Sequence, residues 1–305
     1  MKAIVTGGAG FIGSHLVEEL ILNGAEVHVL DNMISGHTEY VHPNAIIHTV
    51  DICSEVAGQI IVREKPDVVF HLAAQADVSR SILEPQYDAD VNINGTINIL
   101  KACHESSSVS KLIFSSTSGV YGNLQKDLIS EDDLTGPISY YGLSKLTAEA
   151  YIRLFHQLYG LPYTILRYGN VYGPRQTAKG EGGVVAVFLE KLKKGMPLSI
   201  HGDGEQTRDF IYVKDIVHAN IASVDRGNQE TIQVSTAQKT SVNQLLKMLT
   251  QIHGSKVNTV HSAGRTGDIK HSCLDNRKAR QSLNWYPKTD IFNGLSETYT
   301  FSCRK

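Results

Sequence analysis

Cysteine is scarce and scattered in this chain of 305 residues: Cys53, Cys103, Cys273 and Cys303 lie far apart and form no C-x-x-C pair. A disulfide framework or a thiolate zinc site needs closer patterning, so free thiols in a reducing compartment are the expectation. Neither sign of charge is in excess, with 29 Lys and Arg against 31 Asp and Glu, which offers nothing to nucleic acid or to an anionic membrane surface. No apolar run approaches the length of a membrane span. The 13 histidines include no H-E-x-x-H or similar ligand spacing, so no metal is expected. Internal repeats and low-complexity tracts are also missing, and Ser106-Ser107-Ser108 reads as a loop. The first apolar run begins at Ala3, which leaves no room for a leader peptide, and a cytoplasmic protein is expected. The length suits one large α/β domain with a smaller lobe.

What the chain does have is a glycine-rich opening, MKAIVTGGAGFIGSH. The apolar Ala3-Ile4-Val5 predicts a buried strand, and Phe11, Ile12, Leu16, Val17 and Leu20 predict a helix directly after it. Between them, Gly8-Ala9-Gly10-Phe11-Ile12-Gly13 fits G-x-G-x-x-G, and Gly7, Gly10 and Gly13 give a related stepping. In such a turn one glycine permits the bend, the next lets backbone approach a pyrophosphate, and the last lets helix pack on strand. The helix N-terminus, at Phe11 and Ile12, offers N–H groups and a positive dipole end to phosphate. A second strand, Glu26 to Leu30, ends in Asp31-Asn32, where a carboxylate can accept from ribose hydroxyls and would repel a 2′-phosphate. The implied cofactor is NAD rather than NADP.

Strand and helix patterns then alternate. A strand Ile46 to Val50 ends at Asp51-Ile52, placed to touch an adenine ring, and a helix Glu55 to Glu64 stops before Pro66. The strand Asp67 to His71 ends in Leu72-Ala73-Ala74-Gln75, small residues that suit close approach of a cofactor. Tyr87 to His104 predicts one long helix interrupted by Asn92, Asn94 and Asn98 and apolar on more than one face, as a buried or partner-facing helix is. The strand Lys111 to Phe114 opens into Ser115-Ser116-Thr117-Ser118-Gly119. The architecture predicted is α/β, a doubly wound parallel Rossmann-like sheet with a smaller mixed substrate lobe.

A helix running to Tyr159 starts at Tyr140-Tyr141-Gly142-Leu143-Ser144-Lys145. Tyr141 and Lys145 are four apart and share a helix face. A phenol titrates near pH 10 unperturbed, roughly, and a neighbouring ammonium favours its phenolate, so Tyr141 can act as a base nearer neutral pH. Thr117 could hydrogen-bond the same substrate hydroxyl. Alone, Tyr-x-x-x-Lys recurs on many exposed helices; here it comes after a nucleotide fingerprint and a hydroxyl-rich strand end.

TGGAGFIGSH, LDN, DI, HLAAQ, SSTSGVYG, YYGLSK and RYGNVYGPRQ together resemble the extended short-chain dehydrogenase/reductase family, and within it the nucleotide-sugar 4-epimerases of the UDP-galactose type. The resemblance covers nearly the whole chain. It implies residues 1–168, joined by 212–235, as the NAD-binding part, and 169–211 with 236–305 as a UDP-sugar lobe. It implies Tyr141, Lys145 and Thr117 as catalytic, Asn92 and Ser115 on the cofactor side, and Asn170 at the substrate diphosphate. In the second lobe it implies Val184, Val185 and Ser199-Ile200-His201 beside the uridine, Arg208 and Arg265 on the diphosphate with Phe210 next to the first, Asp268 on ribose, and Ser272 as a sugar size gate. A homodimer through the Tyr87–His104 and Gly142–Tyr159 helices is implied as well. Family lyases carry an acidic residue where this chain has Thr117, Ser118 and Gly119, which argues for epimerase over dehydratase or decarboxylase; a UDP-glucuronate 4-epimerase and a non-enzymatic NAD sensor are the other readings. The lysine that better-known members place near the nicotinamide is Ala76 here.

Overall fold

The computed structural model describes residues 1–178, 183–263 and 269–304. Six parallel strands, β1 (Lys2–Thr6), β2 (Glu26–Asp31), β3 (Ile46–Thr49), β4 (Val68–His71), β5 (Lys111–Thr117) and β6 (Tyr163–Tyr168), share one sheet with a seventh, Glu230–Val234. Their spatial order is Glu230–Val234, β6, β5, β4, β1, β2, β3. Every pairing in the sheet is parallel. The order reverses between β1 and β4, so ligands are expected in the crevice beyond the carboxyl ends of those two strands.

Both faces of the sheet are covered, which is why its strands read as continuous apolar runs rather than alternating ones. Ala3, Val5, Val68 and Phe70 face one layer, where Leu16, Val17 and Leu20 of the Phe11–Leu22 helix and Ile216 and Ala219 of the Val213–Ala222 helix pack. Ile4 and Val69 face the other, with Ile60 and Ile61, Ile99 and Leu100, and Ala148 and Ile152 from three helices. A third core, around Phe188, Leu198, Ile200, Phe210 and Leu245, belongs to the smaller lobe. Ala279, Leu283 and Trp285 pack in the first core, on the sheet, whereas the division drawn from sequence puts 236–305 wholly in the lobe. Their apolar faces complete the cover over the seventh strand, something no local pattern announces.

The predicted Tyr87–His104 helix is not regular. It consists of Pro85–Ala89, a π-helical turn at Asp90–Asn94 and Gly95–Ser106. A π turn inserts one residue and rotates the remainder of the helix; here it carries Asn92 into the buried interior. A further short helix, Val78–Leu83, begins at Asp77, whose carboxylate caps it by accepting from the Ser79 and Arg80 N–H groups. The lobes meet over the glycine helix, where Arg175 pairs with Glu18 at 2.6 Å and the His15 ring bonds the Pro174 carbonyl at 2.9 Å.

Candidate active site

Three of the four glycines of the opening turn, Gly7, Gly10 and Gly13, do different work. Gly7 sits at φ +70°, and a Cβ there would stand 2.8 Å from the Ala73 nitrogen, so the turn and the segment after β4 touch backbone to backbone. At Gly13 a Cβ would collide with the Gly7 carbonyl. Gly10 is different: a Cβ would meet only the Gly7 oxygen, at 3.2 Å. The protein's own packing therefore crowds a side chain there less severely than at Gly7 or Gly13, and no side chain caps the helix beginning at Phe11. The result is an open cradle of N–H groups at Phe11 and Ile12, beside a Gly10 N–H that is turned onto the Gly7 carbonyl, and it fits a dinucleotide's pyrophosphate.

Asp31, buried at the end of β2, accepts from the Ala9 N–H at 3.0 Å and the Met33 N–H at 2.9 Å. It thus holds the glycine turn in place, while each oxygen keeps a second lone pair for a ribose hydroxyl. Asn32 donates to Asp51 at 2.9 Å. Burial works against the Asp51 charge, yet hydrogen bonds from the Cys53 N–H and Asn32 hold its carboxyl below the ordinary value. Ile52 is buried, packed against Gly95. These four residues line the β2–β3 side of the crevice.

On the β4–β5 side the polar groups are knitted together. Gln75 and Asn92 exchange hydrogen bonds through the Gln75 backbone, and Asn92 Nδ2 also reaches Asp88 and the Ser144 hydroxyl at 3.0 Å. Ser144 lies between Tyr141 and Lys145, so the π turn is bonded directly to the start of the Tyr140–Tyr159 helix. His71 bridges Thr6 and Thr96. Burial, aided by the Lys145 charge, pushes the His71 imidazole down to about 3, so it is neutral and Lys145 is the cation of this region. Lys145 is itself buried, its ammonium 4.1 Å from the centre of the Phe114 ring. Leu72, Ala73 and Ala74 follow β4 half-buried, and Ser115 is half-buried near the end of β5.

Thr117 closes β5, and its hydroxyl accepts from the Gly119 N–H at 3.1 Å while its proton remains available to donate. Tyr141 stands half-exposed in the first turn of its helix, after Ser139, whose hydroxyl accepts from the Gly142 N–H. The glycine turn, Thr117, Tyr141 and Lys145 are thereby gathered at the carboxyl edge of one sheet.

In the second lobe, Asn170 and Phe210 face each other in a short parallel ladder. Arg208 is half-buried, bonded to the Thr207 carbonyl, and Ser272 donates its N–H to the same carbonyl at 3.2 Å. Val185, Ile200 and Phe210 are buried in the lobe core, so only backbone is offered to a ligand at the first two. Val184 is half-buried, Ser199 accepts from Lys191, and the His201 ring bonds Ser262. Arg265 and Asp268 lie outside the described residues.

Sequence reasoning passed over three groups. Gln176 donates to the Val171 carbonyl, but its buried Oε1 meets no hydrogen-bond partner among the described residues. Glu149 and Arg167, both buried, form a two-point ion pair at 2.9 and 2.7 Å. Ser116 and Arg153 also donate to Glu149, and Arg167 donates to the Tyr121 hydroxyl. The usable signal was spacing: Glu149 lies one helical turn beyond Lys145, on the face that had to be buried. The His28, His48 and Glu64 cluster has metal-ligand chemistry. However, the two imidazoles meet nearly coplanar at N···N 3.0 Å, their lone pair and proton spent on each other.

A family described as NAD dependent epimerase/dehydratase matches residues 3–235. A putative UDP-glucose 4-epimerase of Methanocaldococcus jannaschii is 41% identical over 293 residues, 96% of this chain and 95% of that one. The crystal structure of Thermotoga maritima UDP-glucose 4-epimerase with UDP-glucose superposes with a TM-score of 0.97 at 44% identity, covering 100% and 99% of the two chains. A UDP-N-acetylglucosamine 4-epimerase of Methanobrevibacter ruminantium, in complex with UDP-N-acetylmuramic acid, gives 0.94 at 36% identity, covering 99% and 98%.

The buried ion pair has a consequence for stability. Burial opposes the charge of Glu149, but Arg167, Ser116 and Arg153 outweigh it and hold the carboxyl below its usual 4.5. A depressed carboxyl stabilises the fold fully above its unfolded pKa, and that contribution fades as pH falls through the folded value. Glu149→Gln should lower stability at neutral pH by about 3 kcal/mol, because Arg167 is left without its counter-charge. It should also flatten the loss of stability below pH 4.5. Urea unfolding of both proteins at pH 7 and at lower pH checks this; parallel pH profiles would contradict it.

Proposed function

From the premise that the chain belongs to the NAD dependent epimerase/dehydratase family, we propose that it inverts carbon 4 of a UDP-hexose, UDP-glucose or UDP-galactose, through a 4-keto sugar. The observation that carries this reading is the meeting of the glycine cradle, Thr117, Tyr141 and Lys145 at one sheet edge. Residues 1–168 with 212–235 hold NAD, and 169–211 with 236–305 hold the sugar nucleotide, the Arg277–Leu283 helix excepted.

The glycine turn, Asp31, Asn32, Asp51 and Ile52 hold the adenosine half of NAD, and Leu72 to Gln75, Asn92, Ser115 and Lys145 the nicotinamide half. Held there, NAD would supply the acceptor and donor of the hydride exchanged with carbon 4. Tyr141 takes the proton of the 4-hydroxyl and later returns it. Lys145 provides the positive charge that favours the phenolate, and neutral His71 adds none to compete with it. Thr117 orients the hydroxyl by donating to it. Asn170 and Arg208 hold the diphosphate, for which a guanidinium offers paired donors. Arg265 and Asp268 are assigned to the same half by resemblance alone. Inversion requires the sugar to turn over while UDP stays fixed, and most of these ligands belong to the UDP half. Thr117, Ser118 and Gly119 bring no carboxylate to the end of β5, which favours epimerisation over loss of water or carbon dioxide.

Leu143, Tyr151, Leu154 and Leu158 form an exposed stripe along the Tyr140–Tyr159 helix, flanked by exposed Val78, Ile82 and Leu83. Spacings of eight, three and four residues put the stripe on one face, and a second copy of the chain is its proposed cover. The four cysteines are unbridged and no helix among the described residues is long and apolar enough to cross a membrane, in keeping with a cytoplasmic enzyme.

Tyr141→Phe should lower kcat on UDP-hexose by roughly a hundredfold or more, the scale of lost acid–base catalysis, with UDP affinity kept; unchanged turnover would remove the phenol from the mechanism. Ser272 is small and sits beside the Arg208 strand, so both UDP-glucose and UDP-N-acetylglucosamine should be accepted, and Ser272→Tyr should select against the acetylated sugar. Wild type inactive on that sugar would refute the gate. Light scattering should give a dimer that Leu154→Glu converts to monomer; a monomeric wild type at micromolar concentration would dismiss the stripe as an interface.

A further inference from the structure

We propose that Asp209 is a positioning residue for the sugar nucleotide: its single buried carboxylate joins the segments that carry Asn170, Arg208 and Ser272 into one wall. This rests on the function proposed above and deepens it.

Asp209 is 1% exposed. Its Oδ1 accepts from the Thr236 N–H at 2.8 Å and the Thr236 hydroxyl at 2.6 Å. Its Oδ2 accepts from the Ala237 N–H at 3.0 Å, the Leu274 N–H at 3.3 Å and the Cys273 thiol at 3.6 Å. Its backbone carbonyl accepts from the Asn170 N–H at 2.7 Å. One residue thus ties the strand after β6, its own segment, the loop leaving the seventh sheet strand and the 272–274 segment. Arg208 precedes it, Asn170 is bonded to it, and Ser272 precedes the thiol that donates to it.

The joint is specific in chemistry as well as place. Every group around the carboxylate is a donor, so an amide of the same shape would have to turn its own N–H groups toward donors. Ala237 is held at φ +59°, a left-handed conformation unfavourable to alanine; its N–H is one of the five groups engaged. Ser235 and Asn276 reinforce the same crossing, the first donating to the Leu274 carbonyl and the second to the Ser235 carbonyl, each at 2.9 Å. None of these bonds reaches the glycine cradle or the Tyr141 helix. Loosening the joint should therefore move the substrate ligands relative to one another and leave the cofactor half alone.

The test uses UDP itself as probe, by calorimetry, alongside steady-state kinetics and the NAD content released on denaturation. Asp209→Asn should weaken UDP binding by roughly tenfold or more, the loss of about one charged hydrogen bond's worth, raising KM with kcat at saturation changed far less and NAD content unaltered. Thr236→Val, which removes one donor of the five, should shift UDP affinity in the same direction by a smaller factor, and it decides the matter if Asp209→Asn does not fold. Wild-type UDP affinity in the variant tested, or NAD content falling in step with UDP affinity, would overturn the proposal. Wild-type protein that takes up no UDP at all would instead bring down the reading of function beneath it.

Discussion

A carboxylate with no access to water fixes the geometry of the flank that carries Thr117, Tyr141 and Lys145. Glu149 is wholly buried and bonded at both oxygens to Arg167 of β6, with Ser116 of β5 and Arg153 of its own helix as further donors. Such a charge is tolerated in the interior only when its partners are in place. The Tyr140–Tyr159 helix can neither slide nor roll on the sheet without breaking that set. Lys145 and Tyr141 lie one and two turns upstream on the same helix, so their register against Thr117 at the end of β5 is settled by a bond that takes no part in chemistry.

The opposite flank is fixed by different means. Gly7 and Gly13 allow backbone to touch backbone where any side chain would intervene, while Asp31 ties the resulting turn through Ala9 and Met33. Between the two flanks runs the Asn92 network, which connects the π turn to Gln75 and to Ser144. Cofactor half and phenol helix are therefore tied into one unit, as the proposed hydride transfer to and from a single carbon requires. In the smaller lobe Asp209 joins the corresponding segments, and the two lobes meet at the Arg175–Glu18 and His15–Pro174 contacts over the glycine helix.

Sequence reading located the elements of the large domain because their signals are local. A glycine turn between strand and helix, a carboxylate ending the next strand and a phenol one helical turn from an ammonium each span a few residues. The long helix expected over Tyr87–His104 is present, but the π turn within it was not legible for a corresponding reason: it is favoured by what Asn92 bonds to, not by its neighbours in sequence. The placement of Ala279, Leu283 and Trp285 on the main sheet likewise depends on an uncovered apolar surface more than forty residues away along the chain.

The amino-acid sequence by itself determined the class of fold, the dinucleotide cradle and the pair Tyr141 and Lys145, since each arises from periodicity, glycine conformational freedom or spacing on one helix. Tertiary structure alone decided which buried charges hold those groups still. Glu149 and Arg167 are 18 residues apart, and Asp209 lies 65 from Leu274. At such separations no periodicity operates, and the partnership exists only because burying one charge or one lone pair compels the chain to bring another group to meet it.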